Sequence, residues 1–295
     1  MSRVHDALRR AGQLPTGDLA ASEPLPPLPP PVKENGVHRN GAAAPAASAV
    51  STLNLPAIVG NVEEHPFNPA PESHLIDLHR PMETPSEEFR SLRTKLNYMQ
   101  TLQSLHTVVV TSASPAEGKS FTAMNLALAE SHLADNTVLI ADFDLRRPTL
   151  HNLLQLDRSP GISDYLLGEA PLEKVIKRIS GSNLYFMPAG KPVKNPLELL
   201  NLREVKVLLD ELHTAFNWTF FDTPPLLFSA DANLIAAMTD GTVLVVRIGS
   251  TTIDTITRAV QSLNENNVLG VVANGARAGE LYSKYTYYYS KKEEA

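Results

Sequence analysis

Residues 106–133 read HTVVVTSASPAEGKSFTAMNLALAESHL, and the fold is decided here. The stretch opens with an apolar β-branched run, HTVVVTS at 106–112. That run stops at a loop containing Ser, Pro and Gly, and helical periodicity follows from Lys119 to Leu133. Between strand and helix stands Ala113-Ser114-Pro115-Ala116-Glu117-Gly118-Lys119-Ser120, of the form A-x4-G-K-S. A loop that leaves a strand and enters a helix through Gly-Lys-Ser is the context of a P-loop. Its backbone N–H groups, with those of the helix start as far as Phe121, form a nest for anions. Lys119 is expected to reach the β- and γ-phosphates of ATP, and the Ser120 hydroxyl to ligate Mg²⁺. The first position is Ala113 where the general pattern has Gly. Read alone, the loop has a bland alternative, a chance turn carrying a surface lysine.

Working outward, five further apolar runs read as strands: 137–142, 183–188, 218–224, 241–247 and 267–274. Helical segments separate them at 195–216, with a break near Asn201, at 230–238 and at 252–266. Near-continuous Val/Ile/Leu strands alternating with helices predict an α/β fold of the P-loop NTPase type. Its sheet is mostly parallel, with helices on both faces. ADFDLRRP places Asp142 and Asp144 at the C-terminal end of one strand, and FFDTPP places Asp222 at the end of a later one. Ligands of open α/β sheets sit at those ends. Three carboxylates are therefore expected to converge on the loop, where Mg²⁺ would take oxygen ligands. Asp144 also reads as the N-cap of a helix beginning at Leu145. Arg146, Arg147 and Arg247 read equally as phosphate contacts or as solvated charges.

The composition bounds the rest. The chain has 295 residues, no cysteine and a formal net charge of −6. Lack of cysteine excludes disulfide frameworks, thiol catalysis and cysteine-based zinc sites. The mild negative charge weighs against nucleic-acid binding, which needs a basic face. No run reaches the roughly 18 apolar residues of a membrane span. Residues 1–13 form a short amphipathic segment, with Val4, Leu8 and Ala11 at helical spacing. Residues 14–73 read as a disordered Pro/Ala-rich linker, because twelve of the 23 prolines fall before residue 81 and such a composition cannot offset the entropy of ordering. The P-loop domain is expected over 74–280 and a tyrosine-rich tail over 281–295. Five of the eight tyrosines, Tyr282, Tyr285, Tyr287, Tyr288 and Tyr289, lie in that tail. Beside a nucleotide site, phenol hydroxyls suggest phosphate acceptors. Glu87, Arg90 and Arg93 recur every three residues on a helix expected between Ser86 and Met99, along one face. They read as a self-association surface or as a solvated face.

Together these elements resemble the bacterial tyrosine kinases of capsular and exopolysaccharide synthesis over residues 75–295. SASPAEGKS is similar to the family's Walker A motif, ADFDLRRP to its Walker A′ and FFDTPP to its Walker B. YFMPAGKPVKNPLELL resembles the segment carrying P-A-G and N-P-x-E-L-L, and EEFRSLR resembles E-x-x-R-x-x-R. The resemblance implies an ATP- and Mg²⁺-dependent tyrosine autokinase that regulates polysaccharide synthesis and export. It implies that Lys119 stabilises transferred charge, and that Asp142 helps accept the tyrosine proton and organise the metal. Asp144 and Asp222 would position Mg²⁺ or its waters, and Asn274 would contact the base, unless it only makes a turn. It also implies phosphorylation of the terminal tyrosines in trans within a ring-like homo-oligomer assembled through Glu87, Arg90 and Arg93. Implied partners are a separate transmembrane activator and a phosphotyrosine phosphatase, with the kinase cytoplasmic and peripheral at the inner face of the plasma membrane. Ala116 departs from the family's Gly, and a positive φ there would strain it. The competing reading is a nucleotide-gated assembly or partitioning ATPase without kinase activity. The partitioning class carries a signature lysine where this chain has Ser114. Eukaryotic-type kinases are excluded by the lack of H-R-D and D-F-G elements.

Overall fold

The computed structural model describes residues 59–60, 62–76, 86–263 and 268–276. The N-terminal segment, the linker up to residue 58 and the tyrosine tail lie outside the described residues. In chain order the elements are β1 (Glu63–His65), α1 (Ser86–Leu102), β2 (Thr107–Ser112), α2 (Lys119–Ser131), β3 (Val138–Asp142), α3 (Leu150–Leu153), α4 (Ile162–Leu166) and α5 (Leu172–Val175). There follow β4 (Lys177–Ile179), β5 (Leu184–Met187), α6 (Pro196–Leu200), α7 (Arg203–Ala215), β6 (Trp218–Asp222), α8 (Ala230–Ala236), β7 (Gly241–Arg247), α9 (Ile253–Ser262) and β8 (Val268–Asn274).

Among the described residues eight strands form one sheet in the order β1-β4-β5-β3-β6-β2-β7-β8. Every pairing is parallel except β4 with β5. Successive side chains of a strand point to opposite faces, and here both faces are apolar. Val108 and Val110 of β2 join a core with Phe89 and Leu96 of α1 and most of α2. Val109 joins the opposite core with Leu208 and Leu212 of α7 and Ile235 of α8. Burial on both sides explains why the strands read as unbroken apolar runs.

The six expected strands are all present, and the expected break near Asn201 separates α6 from α7. Two strands were not anticipated. β1 pairs Glu63–His65 with Lys177–Ile179 of β4, so the sheet takes in residues that precede position 74. Both strands are only three residues long, and β1 reads Glu-Glu-His. An edge strand left partly in solvent needs no apolar run, so it leaves no periodic signal.

Candidate active site

Strands β2, β6 and β3 lie side by side, and their register brings distant residues together. Val110 pairs with Asp222, and Asp142 pairs with Asp222. The loop after β2 enters α2 at Gly118, whose φ is 96°. No side chain caps this helix, so its first N–H groups remain open to an anion.

Lys119, the first residue of α2, holds the carboxylates together. Its Nζ lies 2.8 Å from Asp144 Oδ2 and 3.3 Å from Asp222 Oδ1. The Ser120 Oγ accepts from the same Nζ at 3.2 Å and helps to hold the Asp222 carboxyl down. Burial by itself would drive the proton off Lys119, but Asp222 and Asp144 outweigh it and hold the ammonium above the ordinary lysine value. Burial also pushes the carboxyls of Asp142 and Asp222 upward. Repulsion from Asp222 adds to the rise at Asp142, whereas Lys119 and Ser120 oppose it at Asp222.

The three expected carboxylates take different parts. Asp142 is wholly buried, and its Oδ1 accepts from the Asp144 N–H at 3.2 Å. Its Oδ2 accepts from the N–H groups of Thr149 and Leu150, each at 3.1 Å. It thereby shapes the loop that carries Asp144. Asp144 uses one oxygen for Lys119 and the other to accept from the Arg147 N–H at 2.9 Å. No helix begins at Leu145, since residues 145–147 bend and α3 starts only at Leu150, so this bond closes a turn rather than capping a helix. Asp222 Oδ2 is buried with no hydrogen-bond partner. Such an atom carries a large desolvation cost unless a cation, donor or water meets it. With the Ser120 hydroxyl beside it, the donor set is all oxygen and suits Mg²⁺. No group of three or more His, Asp or Glu side chains gathers into a metal cage among the described residues. Mg²⁺ here would complete its shell with waters and phosphate oxygens.

A cleft of about 630 Å³ opens over Lys119, walled by Pro115, Ala116, Gly118, Ser120 and Phe121 of the loop and helix start. Asp144, Arg146, Arg147 and Thr149 form a second wall, and Pro224, Pro225 and Phe228 a third. Ala113, Ser114 and Glu117 do not line it. Ala113 is buried beneath the loop, and the Glu117 carboxylate bonds to the Ser114 N–H and the Thr251 hydroxyl. Asn274 turns its amide onto the loop, donating to the Glu117 carbonyl at 2.9 Å. Arg146 is held by Asp231 in a two-point pair at 2.7 and 3.1 Å, and Arg247 donates to the Ala116 carbonyl at 3.3 Å. Asp231, Thr149 and Phe228 were not singled out from sequence. Ser229-Ala230-Asp231 reads only as a helix start, and the partner of Asp231 is 85 residues away.

The E-x-x-R-x-x-R residues lie on α1. Glu87 pairs with Arg90 at 3.2 Å, and Arg93 Nη1 donates to the Ala129 carbonyl of α2 at 2.8 Å. The five tail tyrosines lie outside the described residues.

No protein-family model matches the chain. It is 33% identical over 222 residues to the tyrosine-protein kinase YwqD of Bacillus subtilis strain 168, covering 75% of this chain and 93% of that protein. With the tyrosine-protein kinase etk of Escherichia coli strain K12 it shares 31% identity over 207 residues, but spans only 28% of that longer protein. The structure superimposes on the kinase domain of Escherichia coli ETK with a TM-score of 0.64 at 30% identity, covering 69% of this chain and 81% of that one. Identity at this level along nearly all of one kinase, carried through to the backbone of another, makes the chain a member of the bacterial tyrosine-protein kinases.

Proposed function

We propose that the chain is a Mg-ATP-dependent autokinase that phosphorylates the tyrosines of its own C-terminal tail, in trans, within a homo-oligomer serving polysaccharide synthesis and export. The observation that carries this reading is Lys119, an ammonium fixed between Asp144 and Asp222 where the phosphate loop opens into the cleft. Phosphoryl transfer asks for positioning and charge neutralisation more than for covalent chemistry. The phenol oxygen of the acceptor forms a bond to the γ-phosphorus, the bond to the β–γ bridging oxygen breaks, and ADP leaves. The phenol proton passes to the Asp144 carboxylate, which lines the cleft, while Asp142, buried behind it, holds that loop in place. Lys119 meets the charge that develops on the transferred group. Mg²⁺, when bound through Ser120 and Asp222, would neutralise charge between the β- and γ-phosphates. The third wall suits an aromatic acceptor, since Phe228 is 67% exposed beside Pro225. An apolar ring so placed can pack against an incoming phenol. A separate transmembrane activator, a phosphatase and a position at the inner face of the plasma membrane complete the proposal.

The test is incubation of the full chain with Mg-ATP followed by phosphotyrosine mapping. Phosphate is expected on residues 282–289, and Lys119→Met should lower the rate by about 10³-fold, an effect of the size seen on losing a charge-stabilising donor. ATP hydrolysis without phosphotyrosine would instead favour the assembly ATPase.

A further inference from the structure

The phosphate loop is gripped from behind by residues that do not reach the cleft. Glu117 is 3% exposed although it belongs to a loop. Its Oε2 accepts from the Ser114 N–H at 2.8 Å, and its Oε1 accepts from the Thr251 hydroxyl. Thr251 stands in the turn between β7 and α9, and its oxygen also accepts from the Arg247 N–H at 2.9 Å. The Arg247 side chain returns to the loop at the Ala116 carbonyl, and Asn274 at the end of β8 takes the Glu117 carbonyl. A side chain on Gly118 would overlap the Asn274 amide.

The effect follows from the planarity of the peptide. In a trans peptide the C=O and the next N–H point in opposite directions. Drawing the carbonyls of Ala116 and Glu117 toward Arg247 and Asn274 therefore turns the N–H groups of Glu117 and Gly118 the other way. The loop donors are preset before any ligand arrives. A buried carboxylate is otherwise a poor choice for an anion-binding loop, since its charge repels phosphate. We propose that Glu117 is a positioning residue. Anchored by Thr251, and alongside Arg247 and Asn274, it holds the phosphate loop in its binding shape, so that ATP affinity is set from the turn between β7 and α9. The proposal rests on the reading of this loop as the phosphate site.

The test measures the Kd of a fluorescent Mg-ATP analogue for the full chain, alongside thermal midpoints and the KM for ATP. Thr251→Val keeps the shape of the side chain, lies outside the cleft and removes the donor to Glu117. It should weaken binding about tenfold, the worth of one hydrogen bond to a charged group. The loss should appear in KM, with kcat within about twofold if only ground-state binding is touched. Glu117→Ala should weaken binding at least as much, and the double variant should lose clearly less than the sum of the two, because the Thr251–Glu117 link is cut in both. Glu117→Gln can still accept from Ser114 and should stay within about threefold of wild type. Wild-type affinity in Thr251→Val overturns the brace, as do losses that add in the double variant, or a lowered thermal midpoint with unchanged Kd. A wild-type chain that fails to bind the analogue overturns the phosphate-loop reading and this proposal with it.

Discussion

Ala116 sits in the phosphate loop with φ of 63°, in the left-handed region. A Cβ there crowds the following carbonyl and costs about 1–2 kcal/mol, which glycine avoids. The strain expected from sequence is thus present, and the Arg247 bond to the Ala116 carbonyl helps to hold it. Ala116→Gly should raise the unfolding free energy by about 0.5–1 kcal/mol, the relief being partly offset by greater freedom in the unfolded chain. Urea unfolding at unchanged m checks this. A loss of stability would mean that the strain is relieved elsewhere. Lys119 shows the opposite balance, in which burial opposes the charge and two carboxylates restore it.

Helices α1 and α2 are bolted together through polar groups as well as apolar ones. Besides the Arg93 bond to α2, Asn97 donates to both oxygens of Glu130 at 3.2 and 3.1 Å. Asn97 in turn accepts from Trp218 Nε1 at 3.1 Å, so α1, α2 and β6 share one network. Arg93 therefore spends part of its bonding capacity inside the subunit, whereas Glu87 remains exposed. Burial pushes the Glu130 carboxyl up to about 7, against the opposing pull of Asn97, Arg93 and Asn136. A raised acid favours the protonated form in the folded state. Its contribution is complete below the ordinary carboxylate value and is lost as pH climbs through about 7. Glu130→Gln, fixed in a neutral form, should gain on wild type by about 2–3 kcal/mol between pH 5 and pH 8. Denaturant midpoints at the two pH values measure this, and a constant difference would remove Glu130 as the source.

For the protein as a whole, the proposed homo-oligomer is tested by asking which subunit supplies the acceptor. Lys119→Met protein with an intact tail, mixed with active protein whose five tail tyrosines are Phe, should become phosphorylated on the inactive partner. Absence of label under assembling conditions would exclude transfer in trans. Each phosphate adds about −1.5 to −2 charge, on a chain already at −6. Full modification should therefore lower the sedimentation coefficient of the oligomer at matched salt. An unchanged coefficient would separate phosphorylation from release.

The sequence by itself determined the alternation of apolar strands with helices, the phosphate loop and the three carboxylates, because each is written in consecutive residues. Their convergence was also legible, since parallel strands necessarily end on one side of the sheet. The division of labour among the carboxylates was not. Asp142 and Asp222 have like side chains after like strands, yet backbone N–H groups occupy both oxygens of Asp142, whereas Asp222 has the Lys119 ammonium on one oxygen and no partner on the other. Strands β1 and β4 were hidden because three residues are too few to show a period, and β1 at the sheet edge is also polar. The Arg146–Asp231 pair and the Thr251–Glu117 link join residues 85 and 134 positions apart. Contacts of that kind depend on the crossover order of the strands. Only the tertiary structure decides them, because no local pattern of residues specifies which loop will face which.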